Sequence, residues 1–167
     1  ASQLTGRDTL PCIVRIMGRN EAIIMLVDCN LQREKIPPSA KAKAYKMKYE
    51  AIKRQAGRPS KENAATVLHN FGGKSSREIL AESSPDSHEQ IRKYIRLTEL
   101  IPQIQTLVDA GKSAMRPAVE LSYLPQEQQQ ALIEAIESEE STPSHVQAAK
   151  MRKFSEDGRL TEDVILS

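Results

Sequence analysis

Tryptophan is absent from this 167-residue chain, phenylalanine occurs twice, tyrosine four times and glycine seven times. Sandwiches, barrels and propellers need aromatic and β-branched residues in strands and glycine in turns, so this scarcity disfavours them and favours helices. The two cysteines, Cys12 and Cys29, are too few for a disulfide framework or a four-ligand structural zinc site, and they read as reduced structural thiols. The three histidines, His69, His88 and His145, stand far apart and form no HExxH-type pair, so neither a metal ligand nor a catalytic residue is assigned. No apolar run approaches the roughly 20 residues that cross a bilayer. The longest, Ala22 to Val27, is far shorter, and the N-terminus carries no signal-peptide pattern. The expectation is a cytoplasmic protein without membrane contact.

Charge of one sign is also lacking overall, since 24 Lys and Arg against 22 Asp and Glu leave a formal net charge of +2. That balance hides a gradient. Ala1 to Ser60 holds 12 basic and 5 acidic residues, Lys61 to Val119 holds 8 and 7, and Glu120 to Ser167 holds 4 and 10. A basic N-terminal region suits a polyanion, which the acidic C-terminal third would repel. A solvated face on a long helix explains the same lysines equally well.

Thr9 to Ile16, with its β-branched run entered through Pro11, reads as one short strand. Asn20 is the expected N-cap of a helix to about Asn30, with Ala22, Ile23, Leu26 and Val27 on one face. Ser39 is the expected cap of a second helix that ends at Gly57 and Pro59. Its apolar positions Ala42, Tyr45, Tyr49 and Ile52 predict one packed face and one basic face. A polar stretch up to Gly72-Gly73 reads as a linker. Gly73-Lys74-Ser75 is not a P-loop, because Leu68 stands where the motif requires its first glycine.

Ser75-x-x-Glu78 and Ser87-x-x-Gln90 both match the capping box. They imply a helix from about Ser76 to Glu82, a tight connection through Ser83-Ser-Pro-Asp86, and a second helix: the helix-turn-helix pattern. Pro85 stands where glycine is common, so no left-handed residue is expected at that position. On the second helix Ile91, Tyr94, Ile95 and Thr98 share one face, with Glu89, Arg92, Lys93 and Arg96 opposite. That division suits a recognition helix whose first turns, Ser87, His88, Glu89 and Gln90, approach base edges while Arg92, Lys93 and Arg96 meet bases or phosphates. A plain helical hairpin carries the same pattern. Downstream, Ile101 to Gly111, Ser113 to Tyr123, Pro125 to Glu137, Pro143 to Phe154 and Leu160 to Leu166 read as helices, with Pro125 and Pro143 at first helical positions. Gln126, Gln128, Gln129 and Gln130 are expected on outer faces, and Leu132, Ile133 and Ile136 in the core.

Several of these segments together resemble one family. Leu26-Val-Asp-Cys-Asn-Leu-Gln-Arg-Glu34 resembles the ENLQRE box of the ParB/Noc chromosome and plasmid partition proteins. Leu10-Pro-Cys-Ile-Val14 resembles the strand before that box, Arg92 to Pro102 the passage from the recognition helix into the next, and Gly111-Lys-Ser with Pro117-Ala-Val-Glu-Leu121 the segment after it. The order is right and nearly the whole chain is covered. The subgroup most resembled is that of ParB-like proteins of mobile elements.

The resemblance implies a mainly α protein: a partial N-terminal α/β remnant with one short strand, then an all-helical domain containing a helix-turn-helix. Residues 1–58 would be the C-terminal part of a nucleotide or clamp domain with its basic helix, 59–73 a linker and 74–167 the DNA-binding domain. It further implies sequence-specific binding of a palindromic site on double-stranded DNA as a homodimer, partition of a plasmid, chromosome or mobile element, a ParA-like ATPase partner and association with the nucleoid. Family members use CTP and Mg²⁺, and by position Asn30, Gln32 and Arg33 would contribute to that nucleotide site, arginine as a charged fork for phosphate and asparagine as an oxygen for a metal. Two departures stand against it here: Cys29 replaces the glutamate that opens the box, and the upstream GERR box is absent. The chain therefore reads as a fragment with no bound cofactor and no competent CTPase. Alternatives from other classes are a CTP-dependent switch enzyme or ParB-like nuclease, and a helical protein-interaction module.

Overall fold

The computed structural model describes residues 12–56 and 76–161. Among the described residues there are eight helices and no strand, so the protein is mainly α. They are α1 (Arg19–Leu31), α2 (Pro38–Ala56), α3 (Ser76–Glu82), α4 (His88–Leu97), α5 (Pro102–Asp109), α6 (Met115–Leu121), α7 (Gln126–Glu139) and α8 (His145–Glu156). The expected linker, the Gly57 and Pro59 stops and the Ser75 cap lie outside the described residues, as does most of Leu160 to Leu166.

The short strand is corrected over its described part. Residues 12–16 are irregular, and Ile13, Val14 and Ile16 are exposed. A β-branched run becomes a strand only where a second strand takes up its N–H and C=O groups, and none stands among the described residues.

Several helix starts differ from expectation, α1 and α2 beginning earlier and α7 and α8 later. α1 is capped by Gly18, whose N–H donates to the Glu21 carboxylate at 3.0 Å, so Asn20 lies inside the helix. α2 begins at Pro38, and Ser39 uses both its N–H (2.8 Å) and its hydroxyl to donate to the Asp109 carboxylate at the end of α5. A distant carboxylate thereby satisfies a first-turn donor that a local cap would otherwise serve. Pro125 is the N-cap of α7 and not its first residue, so this helix begins one residue later than expected. α8 starts after Ser144, which exchanges hydrogen bonds with Gln147 in a full capping box that the Pro143 reading passed over. Gly111, at φ +72°, follows α5 as expected.

Two cores form. Val27, Leu31, Tyr45, Ile52, Leu80 and Ile91 join α1, α2, α3 and α4. Leu97, Ile104, Ala118, Leu121, Leu132, Ala148 and Met151 join α4 to α8, and Ala42 of α2 enters that core as well. Tyr94 packs against both. α2 and α4 are therefore the shared spine, and the described helices on either side of residues 57–75 pack together.

Gln129 corrects the outer-face expectation for α7. It is buried; its carbonyl oxygen accepts from the Ile101 N–H at 2.9 Å, and its amide donates to the carbonyls of Leu124 (2.9 Å) and Glu99 (3.3 Å). The corners after α4 and after α6 expose backbone groups that no helix satisfies, and one glutamine serves both. Gln126 and Gln130 are exposed as expected, and Leu132 and Ile133 are in the core. Gln129→Leu keeps the volume and orphans these groups, at a cost of about 2–4 kcal/mol. A thermal melt should show a fall of roughly 5–15 °C, and an unchanged midpoint would refute the assignment.

Candidate nucleic-acid interface

α3 and α4 present the segment to which sequence reasoning assigned DNA reading. Residues 83–87 connect them without any left-handed residue, as Pro85 requires. In place of a glycine cap, the Ser83 and Ser84 hydroxyls donate to the carbonyls of Ile79 (2.9 Å) and Leu80, satisfying the end of α3. Ser87 caps α4 by accepting from the Gln90 N–H at 3.3 Å. The reciprocal half of the expected box is not made, because the Gln90 amide turns to the Met115 sulfur at 3.5 Å.

One face of α2 holds this connection in place. Lys41, Tyr45 and Lys48 follow one another at spacings of four and three, so they share a face. Lys48 is fully buried; its ammonium donates to the Asp28 carboxylate of α1 at 2.5 Å and to the Ser83 carbonyl at 3.1 Å. The Tyr45 hydroxyl donates to Asp86, and Lys41 pairs with the same carboxylate at 2.6 Å while lying over the Tyr94 ring. This corrects the expectation of one packed and one basic face. Lys43, Lys53 and Arg54 are exposed, but Lys41 and Lys48 point inward.

Burial first, and then the hydrogen bond to Asp86, push the Tyr45 phenol above its ordinary 10.0. Burial lowers Lys41, yet hydrogen bonding to Asp86 and the neighbouring charges outweigh it and leave the amine raised. Both groups have folded values above their unfolded ones. Their stabilisation is complete below about pH 10 and is lost as pH rises through the raised values.

The predicted reading residues divide into three groups. His88, Glu89 and Arg92 are exposed on the outer side of α4. Lys93 is partly exposed and pairs with Glu89 at 2.8 Å, and that hydrogen bond, followed by the lysine charge, holds the Glu89 carboxyl below the usual range. Ser87 is engaged as the cap and Gln90 is half-buried against Met115. Arg96 is tied inward: its Nε donates to the Ser122 hydroxyl (3.0 Å), its Nη2 to the Ser122 carbonyl (2.7 Å), and its guanidinium lies 3.9 Å from the Tyr123 ring centre. Arg152 of α8 also lies against that ring, at 3.7 Å. Arg77, exposed on α3, is a further cation that the sequence reading left out. Spacing places Lys41 and Lys48 on the Tyr45 face, but the inward turn of their ammonium groups has no local signal, and neither has the stacking of Arg96 and Arg152 on Tyr123.

The residues assigned to a nucleotide site by resemblance lie at the end of α1. The Asn30 amide donates to the Leu26 carbonyl of its own helix at 3.0 Å, and Gln32 and Arg33 are exposed just beyond. Asp28 of the same helix is held by Lys48. Among the described residues no group of three or more His, Cys, Asp and Glu side chains is arranged to hold a metal, and no helix is long and apolar enough to cross a membrane. Comparison with protein-family models, curated proteins and solved structures finds no match to this chain.

Two predictions follow from the α2 face. The Asp28 side chain is 36 % exposed whereas that of Lys48 is fully buried. Asp28→Ala, which strands a buried ammonium, should cost about 3 kcal/mol or more, and Lys48→Met, which leaves a carboxylate that water can reach, distinctly less. Equal losses in urea unfolding would contradict this asymmetry. Thermal stability should also decline above about pH 10, where unfolded tyrosine ionises. Tyr45→Phe should flatten that decline while lowering the neutral-pH stability by about 1 kcal/mol; a decline of unchanged steepness would count against Tyr45.

Proposed function

We propose that this chain is a sequence-specific DNA-binding protein of the partition type, with α3 and α4 acting as a helix-turn-helix and α4 entering the major groove. The observation that carries the reading is the division of α4. Ile91 and Leu97 are buried and Tyr94 and Ile95 partly so, while His88, Glu89 and Arg92 remain exposed along its first half. A recognition helix needs that division, with polar tips free for base edges and the apolar side fixed to a scaffold.

The roles narrow accordingly. His88 and Arg92 read bases, and an arginine suits guanine; Glu89 is held by Lys93 beside them. Ser87 sets the start of the helix, and Gln90 orients it against α6. The target is a palindrome bound by a homodimer, in segregation of a plasmid, chromosome or mobile element with a ParA-like ATPase, as the sequence resemblance implies.

Selection from a pool of random duplexes tests the reading. A recovered inverted repeat, bound with an affinity that falls with salt at a slope near −0.9 per phosphate contact, is the expected result. Arg92→Ala should then cost about 1–3 kcal/mol on the selected site and relax preference at one base pair. Recovery of no common sequence, or an Arg92→Ala protein with undiminished preference, would defeat it.

A further inference from the structure

Between α3, α4, α6 and α8 lies an open concavity of about 410 Å³ whose lining includes Arg77, Arg92, Lys93, Arg96 and Arg152. Glu89, Glu99 and Glu120 line it too, but each is engaged: Glu89 by Lys93, Glu99 by Lys46 at 3.1 Å, and Glu120 by Arg152 at 3.1 Å. Three arginines, Arg77, Arg92 and Arg96, therefore have no carboxylate partner among the described residues. The middle third of the chain, nearly neutral as a sequence, gathers uncompensated cations at one place.

Arg96 differs from the other two. Stacking on Tyr123 and two hydrogen bonds to Ser122 fix its plane. Of the five N–H donors of a guanidinium, these bonds use two, both to neutral acceptors, so the charge stays uncompensated and three donors remain on a residue that lines the concavity. Arg152 holds the opposite side of Tyr123, and its own bonds to Glu120 and Glu156 keep that support rigid. A fixed arginine beside an exposed one is an arrangement for a tetrahedral oxyanion: the fixed fork orients it and Arg77 closes over it.

The geometry points to a phosphate seat in this concavity, with Arg96 as the preorganised donor and Arg77 as its closing ligand. It deepens the duplex-reading proposal by assigning the phosphate to the DNA backbone beside α4, so that Arg96 anchors the strand instead of reading a base. A phosphate on a small molecule offers the same chemistry, and the test separates the two sources.

The whole chain is titrated with inorganic phosphate, then with pyrophosphate, at constant ionic strength, while the arginine Nε–Hε signals are followed by NMR. Shifts confined to Arg77 and Arg96 are expected, with Arg77→Ala weakening the response about tenfold. Lys150→Ala, an equal loss of charge at an exposed site on α8 outside the lining, should leave it unchanged. Arg77 is exposed, so its removal leaves the packed cores intact. In parallel, binding of an arbitrary 20-base-pair duplex is measured against salt, and Arg77→Ala should lower the slope by about one phosphate contact. Confined phosphate shifts without duplex binding would keep the seat, assign it to a small phosphorylated ligand and end the DNA reading. Duplex binding with the same slope for Arg77→Ala as for Lys150→Ala, and no confined shift, would overturn the seat and leave the DNA reading standing. Shifts spread equally over all arginines would overturn it too.

Discussion

A lysine ammonium enclosed between three helices governs how the rest of this structure is arranged. Lys48 brings a positive charge into a core, which is tolerable only where a carboxylate and further acceptors meet it. Asp28 from α1 and the Ser83 carbonyl from the end of α3 meet it together. α1 and α3 are thus bound to one side chain of α2, and the connection into α4 is positioned by the same contact. Tyr45 and Lys41, further along that face, complete the hold through Asp86. Apolar packing alone would let α3 and α4 slide on α2; directional bonds from three side chains do not.

Rigid placement is what a reading surface needs. A short helix of seven residues has little stability of its own in water. Leu80 and Ile91, buried in the same core as Tyr45 and Ile52, supply apolar stabilisation, while the bonds to Ser83 and Asp86 supply orientation. The outer side of α4 is left free of that work, and His88 and Arg92 remain exposed there. Gln129 does for the corners after α4 and α6 what Lys48 does for the connection before α4: one buried polar side chain satisfies backbone from separate segments.

The electrostatic character of the protein follows from pairing more than from composition. A net charge of +2 and nearly balanced totals suggest no particular partner. Pairing removes acidic groups from around α4, because Glu89, Glu99 and Glu120 are each held by a cation. The remaining arginines gather about Tyr123, a ring that accepts a guanidinium on each face. Much of the N-terminal lysine excess is turned to folding, as Lys41, Lys46 and Lys48 serve ion pairs. Arginines without a carboxylate partner among the described residues, Arg77, Arg92 and Arg96, therefore lie in the middle of the chain.

Periodicity made the helices legible, since apolar spacing of three and four residues is a local property, and so were Gly111 as a stop, the Ser87 cap and the two faces of α4. The tight connection through Ser83 to Asp86 and the exclusion of a left-handed residue at Pro85 were legible for the same reason, since proline restricts the backbone locally; the hydroxyl bonds of Ser83 and Ser84 to the end of α3 were not. Helix starts were read less well, because a glutamate three residues on or an aspartate in a distant helix can serve where a local cap was expected. The Cys12 to Ile16 segment shows the same limit, as β-branched residues express a preference that only a second strand makes good. Whether a lysine, glutamine or arginine faces water or core lay beyond the sequence, for those side chains are long enough to do either. Lys48, Gln129 and Arg96 turned inward because tertiary packing brought Asp28, Ile101 and Tyr123 to them, and such meetings are set by the whole fold at once.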